Sequence, residues 1–206
     1  MSAASLVVAP AGTDDPASSM MWAMTDIEIP RPGSGDVVEL VIDDHRTFEA
    51  LLRQLRDATS DREAARSALA DLLVAHAEAE ESTVYRSLKR KDAITADDAE
   101  HGEHEHAEGH EALLALLECG ATDTQQFDDA VEDLSTALMH HINEEEQTIL
   151  NRARTEVGED ARNAIGRDFA AARNDLLASS PGALGNVREL VRRAHADGLL
   201  DETAED

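Results

Sequence analysis

Apolar side chains recur at alternating intervals of three and four residues in four stretches of the chain. In residues 36–57 the series is Val38, Val41, His45, Phe48, Leu52 and Leu55, and in 61–90 it is Leu69, Leu73, His76, Glu80, Val84 and Leu88. In 96–118 it is His106, His110, Leu113, Leu114 and Leu117, and in 124–155 it is Phe127, Val131, Leu134, Leu138, His141, Glu145 and Ile149. Such spacing keeps one helical face apolar, so each stretch predicts an amphipathic helix. Ser60 with Glu63, Thr95 with Asp98 and Asp123 with Gln126 are capping-box-like pairs at the predicted starts. The joints between stretches are short, which sets neighbouring helices antiparallel. The expected fold is all-α: an antiparallel up-down-up-down four-helix bundle over 36–155. Extra C-terminal helices follow, near 159–178 and 186–195, separated by Ser179-Ser180-Pro181-Gly182 and ending in an acidic tail within 156–206. Residues 1–35, rich in Ala, Ser, Gly and Pro, read as a loosely docked N-terminal arm pinned by Trp22.

Composition agrees with helices and narrows the partners. Of 206 residues, 42 % are hydrophobic but only 2 % aromatic, so the core is built from Leu, Val, Ile and Ala rather than from strand-favouring aromatics. Lys and Arg number 18 against 44 Asp and Glu, a net charge of −26. That surface repels nucleic acid and anionic membrane and concentrates cations. One cysteine, Cys119, excludes an internal disulfide and reads as a small buried apolar residue. With no apolar run of membrane-spanning length and no basic leader ahead of Ser5–Ala9, the expected location is the cytoplasm.

The apolar stripes are interrupted by a set of ionisable residues: His45, His76, Glu80, His106, His110, His141 and Glu145. Turns near 59, 93 and 121 bring them to within a turn or two of one layer, at about 1.5 Å of rise per residue. A carboxylate in an apolar core costs several kcal/mol, on the order of what a buried ion loses, unless paired or bound to a cation. No Lys or Arg lies on these stripes near the layer, which leaves metal ions as the counter-charge. His76 and Glu80, His106 and His110, and His141 and Glu145 are each four apart, so both members reach one interior point. Glu145 is in phase with the stripe, and Glu146 sits one position further round. Mixed imidazole and carboxylate donors suit iron, manganese or zinc, and their number exceeds the need of one tetrahedral zinc.

The ordered set His45, His76-x-x-x-Glu80, His106-x-x-x-His110 and His141 followed by Glu145 and Glu146 resembles the hemerythrin family, in particular bacterial HHE cation-binding domains, over about residues 36–155. The resemblance implies two Fe ions, an oxo- or hydroxo-bridged di-iron centre with two bridging carboxylates, which binds dioxygen or reacts with peroxide. In hemerythrins the fourth helix carries an Asp five residues after its His; here that position is Glu146. Many bacterial relatives use His-x-x-x-Glu, which implies Glu145, and often have a single histidine on the third helix, which sets His110 behind His106. The implied function is a dioxygen carrier or sensor, with a peroxide-removing enzyme or an iron store as the alternatives. A dry pocket lined by Phe48, Leu73, Leu113 and Leu138 favours reversible binding, and a wetter one favours turnover.

Other readings are weaker. Ferritin-type sites need Glu-x-x-His on two helices, and the chain has only Glu103 to His106. His-Glu-x-x-His is absent. His101, His104, Glu105, Glu108 and Glu111 fall on the solvated face of the third stretch, His140 faces away from the stripe, and His195 lies outside the bundle. Tyr85, about 180° from His76 on a helical wheel, reads as packing at the end of the bundle.

Overall fold

The computed structural model describes residues 27–200, so Trp22 and most of the N-terminal arm lie outside the described residues. Among the described residues the structure is helical, with no strand. The helices are α1 (Val37–Arg56), α2 (Arg62–Ala79), a π-helical turn (Glu80–Tyr85), α3 (Arg86–Lys89), α4 (Ala96–Glu118), α5 (Gln125–Gln147), α6 (Ile149–Glu156), α7 (Glu159–Leu177) and α8 (Leu184–Asp197). No helix among them is long and apolar enough to cross a membrane.

The helix starts follow local chemistry. Asp36 accepts from the Val38 amide at α1, and Thr95 and Asp98 form the expected capping box at α4. The other two caps lie one residue beyond the expected Ser60 and Asp123. At α2 the Asp61 side chain accepts from the Ala64 amide, and at α5 Thr124 accepts from the Phe127 amide. An acceptor three residues ahead of the free amide is the common requirement, and Asp61 and Thr124 meet it.

Two predicted long helices are broken. Stretch 61–90 passes through the π turn, where Ser82 Oγ donates to the Glu78 carbonyl (2.7 Å) and Thr83 Oγ1 to that of Ala79 (2.6 Å). These hydroxyls engage carbonyls that a wider turn leaves behind. Stretch 124–155 breaks at Thr148, whose backbone (φ −108°, ψ −83°) leaves the helical region between α5 and α6.

Helices α1, α2, α4 and α5 contact one another in the cycle α1–α2–α4–α5–α1, α7 lies on α1 and α2, and α8 lies on α4. The core is divided. One apolar cluster, including Phe48, Leu52, Leu69, Leu73, Leu113, Phe127 and Leu138, fills one end. A second, including Val38, Val41, Val84, Leu88, Ile149 and Phe169, fills the other. The buried ionisable residues His45, His76, Glu80, His106, His141 and Glu145 fall where the two clusters meet along the helices of the cycle. The C-terminal helices are part of this packing. Gly166 lets α7 close on the start of α1: a Cβ there would stand 2.1 Å from the Gly35 carbonyl oxygen. Segment 27–35 is docked as well, with Pro30 and Pro32 carbonyls accepting from Arg173 and Asn174.

Candidate metal centre

Four histidines and two glutamates converge in the layer between the clusters: His45 from α1, His76 from α2, Glu80 from the π turn, His106 from α4, and His141 and Glu145 from α5. None is more than 4 % exposed. Ligand atoms of His76, Glu80, His106 and His141 lie within 4.8 Å of one another, and those of His45, His76 and Glu145 make a second such group. The two groups share His76 and sit side by side.

Each of the four imidazoles is held from behind by a carboxylate. His45 Nδ1 donates to Glu146 (3.1 Å), His76 Nδ1 to Asp44 (3.2 Å), His106 Nδ1 to Glu81 (2.9 Å) and His141 Nδ1 to Glu105 (3.0 Å). An ionised carboxylate only accepts, so Nδ1 carries the hydrogen and the Nε2 lone pair of the neutral ring points to the common centre. This carboxylate–histidine arrangement fixes ring orientation at metal sites. The inward atoms have no hydrogen-bond partner: Nε2 of His45, His76, His106 and His141, both Glu80 oxygens, and Glu145 Oε2. Buried polar atoms are almost always satisfied, and this many orphans converging on one point fit a cation. The donor set is that of a borderline transition metal, and iron fits it.

The charges of the protein without metal agree. Burial opposes a charge on His76, but Glu80 and Asp44 outweigh it and raise its pKa to about 9. His106 is likewise opposed by burial and raised to about 10 by Glu80 and Glu81. Burial alone would lift Glu80, yet His76 and His106 hold it well below the usual carboxylate range. His141 is lowered, by burial first and by the charge of His106. Protons on His76 and His106 thus stand in for the missing positive charge.

His110 and Glu146, two of the expected ligands, are placed elsewhere. His110 is buried, but it belongs to neither group of convergent ligand atoms. It lies one turn beyond His106 at a cleft that also contains Arg193. Burial, His106 and Arg193 lower its pKa to about 3. Glu146 stands behind His45 and also faces Arg46 (3.7 Å), while Glu145 occupies the interior position.

Two residues overturn their sequence readings. Glu105, expected on the solvated face, is only 6 % exposed and bonds His141. Tyr85, expected at the end of the bundle, is fully buried at the centre. Its hydroxyl donates to Glu145 Oε1 (3.2 Å) and its ring stacks on His106, with centroids 5.7 Å apart. The wheel placed it opposite His76 because it assumed unbroken α-helix; the π turn takes more residues per revolution and carries Tyr85 round. Gly102 makes the room, since a Cβ there would fall 2.7 Å from the Tyr85 hydroxyl. Burial first, then the Glu145 charge, raises the Tyr85 pKa well above its ordinary value, so it remains a donor.

A buried cation also exists after all. Arg173 of α7 is 2 % exposed and grips both Asp44 oxygens at 2.6 Å, completing a chain from His76 through Asp44 to Arg173. It lies outside the four stretches whose stripes were read. Asp44 itself was hidden by the stronger periodic signal of its neighbour His45. His101 and His140 are exposed, as read, whereas His104 is half-buried, its Nδ1 on the Leu199 carbonyl just past the end of α8. Cys119 is buried and free.

The sequence pattern of the hemerythrin HHE cation binding domain matches residues 36–153, which span α1 to α6 and every inward-facing residue of the cluster. No curated protein and no solved structure matches the chain.

Proposed function

The chain belongs to the hemerythrin HHE cation-binding domain family, and on that premise we propose that it holds two iron ions in the core and binds dioxygen there, as a carrier or sensor. The observation that carries this reading is the set of seven inward atoms without hydrogen-bond partners, divided between two overlapping groups. His76, Glu80, His106 and His141 would hold one ion, and His45 and Glu145, sharing the space at His76, the other. The contact cycle α1–α2–α4–α5 supports an antiparallel up-down-up-down bundle as the scaffold. The lone cysteine suits a reducing cytoplasm.

When bound, an iron pair supplies electrons to a small oxidant and takes them back. The protein's own residues set the conditions. The six side chains would hold the pair from all four helices of the cycle. Phe48, Leu73, Leu113 and Leu138, each no more than 3 % exposed, shut water out on one side. The Phe48 and Phe169 rings pack edge-on against His76, with centroids 5.1 and 6.1 Å away. On the other side Tyr85 offers an O–H where Glu145 faces the cluster. The backing carboxylates keep each Nε2 aimed inward.

That Tyr85 hydrogen-bond donor, together with a cleft that reaches Glu145, favours peroxide removal as the second reading, since the one would orient a polar reactant and the other would admit it. One experiment separates the two. Reduced, iron-loaded protein is exposed to dioxygen and then degassed: a visible absorption that appears and reverses supports binding. Rapid dioxygen release from added peroxide, with no reversible spectrum, replaces it with the enzyme.

A further inference from the structure

The His-x-x-x-Glu spacing of the core recurs at His101–Glu105 on α4 and at His140–Glu144 on α5. Helices α4 and α5 pack together and bring the two pairs face to face. His101 Nε2 lies 3.0 Å from Glu144 Oε1 and 3.8 Å from Glu105 Oε1. His140 Nε2 lies 3.5 Å from Glu144 Oε2 and 3.6 Å from Glu105 Oε1. Ligand atoms of His101, Glu105 and Glu144 fit within 4.8 Å of one another.

Surface histidines beside carboxylates often form only ion pairs, but Glu105 sets this cluster apart. It is 6 % exposed, and its Oε1 is buried with no hydrogen-bond partner while aimed at the two histidines. Its other oxygen accepts from His141 of the core (3.0 Å). One carboxylate therefore faces both clusters. A cleft of about 180 Å³ is lined by His101, Gly102, Glu105, Glu144 and Glu145, and so runs from the outer cluster to a carboxylate of the inner one.

We propose that His101, Glu105, His140 and Glu144 form an outer site for a divalent transition-metal cation, and that this site is the inlet through which the core is loaded. The inlet half rests on the reading of the core as a metal centre. Two imidazoles and two carboxylates select iron, zinc or manganese over calcium or magnesium. The net charge of −26 draws cations to the mouth. Because His101, His140 and Glu144 are partly exposed, the outer site exchanges its ion readily and can pass it on.

The test uses the full chain and a His101→Ala/Glu144→Gln variant, neither replaced side chain being buried. Calorimetric titration of the as-purified protein with zinc chloride should show a zinc site that the variant loses or binds about tenfold or more weakly, with the iron content unchanged. Anaerobic Fe(II) uptake by chelator-stripped protein should be several-fold slower in the variant and reach the same final iron content. His140→Ala should weaken zinc in the same direction. An unchanged zinc isotherm in both variants overturns the outer site. Lost zinc with an unchanged loading rate overturns the inlet. If wild-type protein never takes up iron, the core reading fails, and the zinc isotherm still decides the outer site by itself.

Discussion

Helices α4 and α5 carry the same four-residue spacing on two adjoining faces, and the two faces end in different environments. His141 and Glu145 are buried, whereas His140 and Glu144, one residue earlier, are 65 % and 37 % exposed at the side chain. Spacing alone does not separate them. What separates them is the environment behind the ring. Each inner histidine has a carboxylate on Nδ1 and an orphaned Nε2 in a dry layer. The outer histidines have Nε2 against carboxylates at the water boundary. The inner arrangement is closed to water and needs positive charge, from a metal or, without one, from protons on His76 and His106; the outer one also has water to satisfy it.

The comparison breaks most sharply on metal content. His76→Ala with His141→Ala should abolish iron uptake, because the first group then keeps only Glu80 and His106 and the second only His45 and Glu145; His101→Ala with His140→Ala should leave core iron intact. Elemental analysis of both double variants reads this directly, and full iron in the first pair would put the ions elsewhere.

The next effect concerns stability. Arg173→Met removes the partner of a buried carboxylate, and breaking one side of a buried pair costs about 3–5 kcal/mol. The expected readout is a lower urea midpoint with iron binding weakened through His76, on the order of 10–100-fold as for other backing partners. A change of less than about 1 kcal/mol, within the range of an exposed pair, would mean that Asp44 is not held as a charge.

pH sharpens the contrast further. In metal-free protein the folded-state pKa values of His76 and His106 are about 9 and about 10, above the ordinary 6.5. Their contribution to stability is therefore complete below pH 6.5 and is lost as pH rises through 9 to 10. Iron loading should release these protons and remove that alkaline loss. Urea midpoints against pH, with and without iron, measure the difference; identical alkaline limbs would contradict it.

Smaller effects lie at the edges of the centre. Gly102→Ala forces Tyr85 to shift and should cost about 1–3 kcal/mol, as overpacking does. Tyr85→Phe keeps the ring and loses the donor to Glu145, for about 1 kcal/mol, and should change the optical spectrum of the iron-loaded form. His110→Leu should leave iron content unchanged. Because the pKa of His110 is lowered to about 3, it costs stability as pH falls below 6.5, and the leucine variant should lose less stability on acidification than the parent. Reduced iron in His110→Leu would restore it as a ligand.

Much of this was legible in the chain. Intervals of three and four located the helices, and ionisable residues inside apolar stripes pointed to the layer where His45, His76, Glu80, His106, His141 and Glu145 meet. The residues that stayed hidden depend on tertiary context. Arg173 reaches Asp44 only because α7 folds back over α1 and α2. Tyr85 turns inward only because Ser82 and Thr83 sit in a π turn, which no α-helical wheel represents. Glu105 is buried by its neighbour α5 and not by the phase of its own helix. For His110 the phase was right but the depth was not: one turn past His106, the stripe has already left the layer.

The central claim is that the inner cluster exists to hold metal. Iron analysis of the purified, folded protein tests it most directly. Two irons per chain, lost together in His76→Ala/His141→Ala, is the predicted result; a fully folded wild-type chain that neither contains nor takes up metal would contradict it.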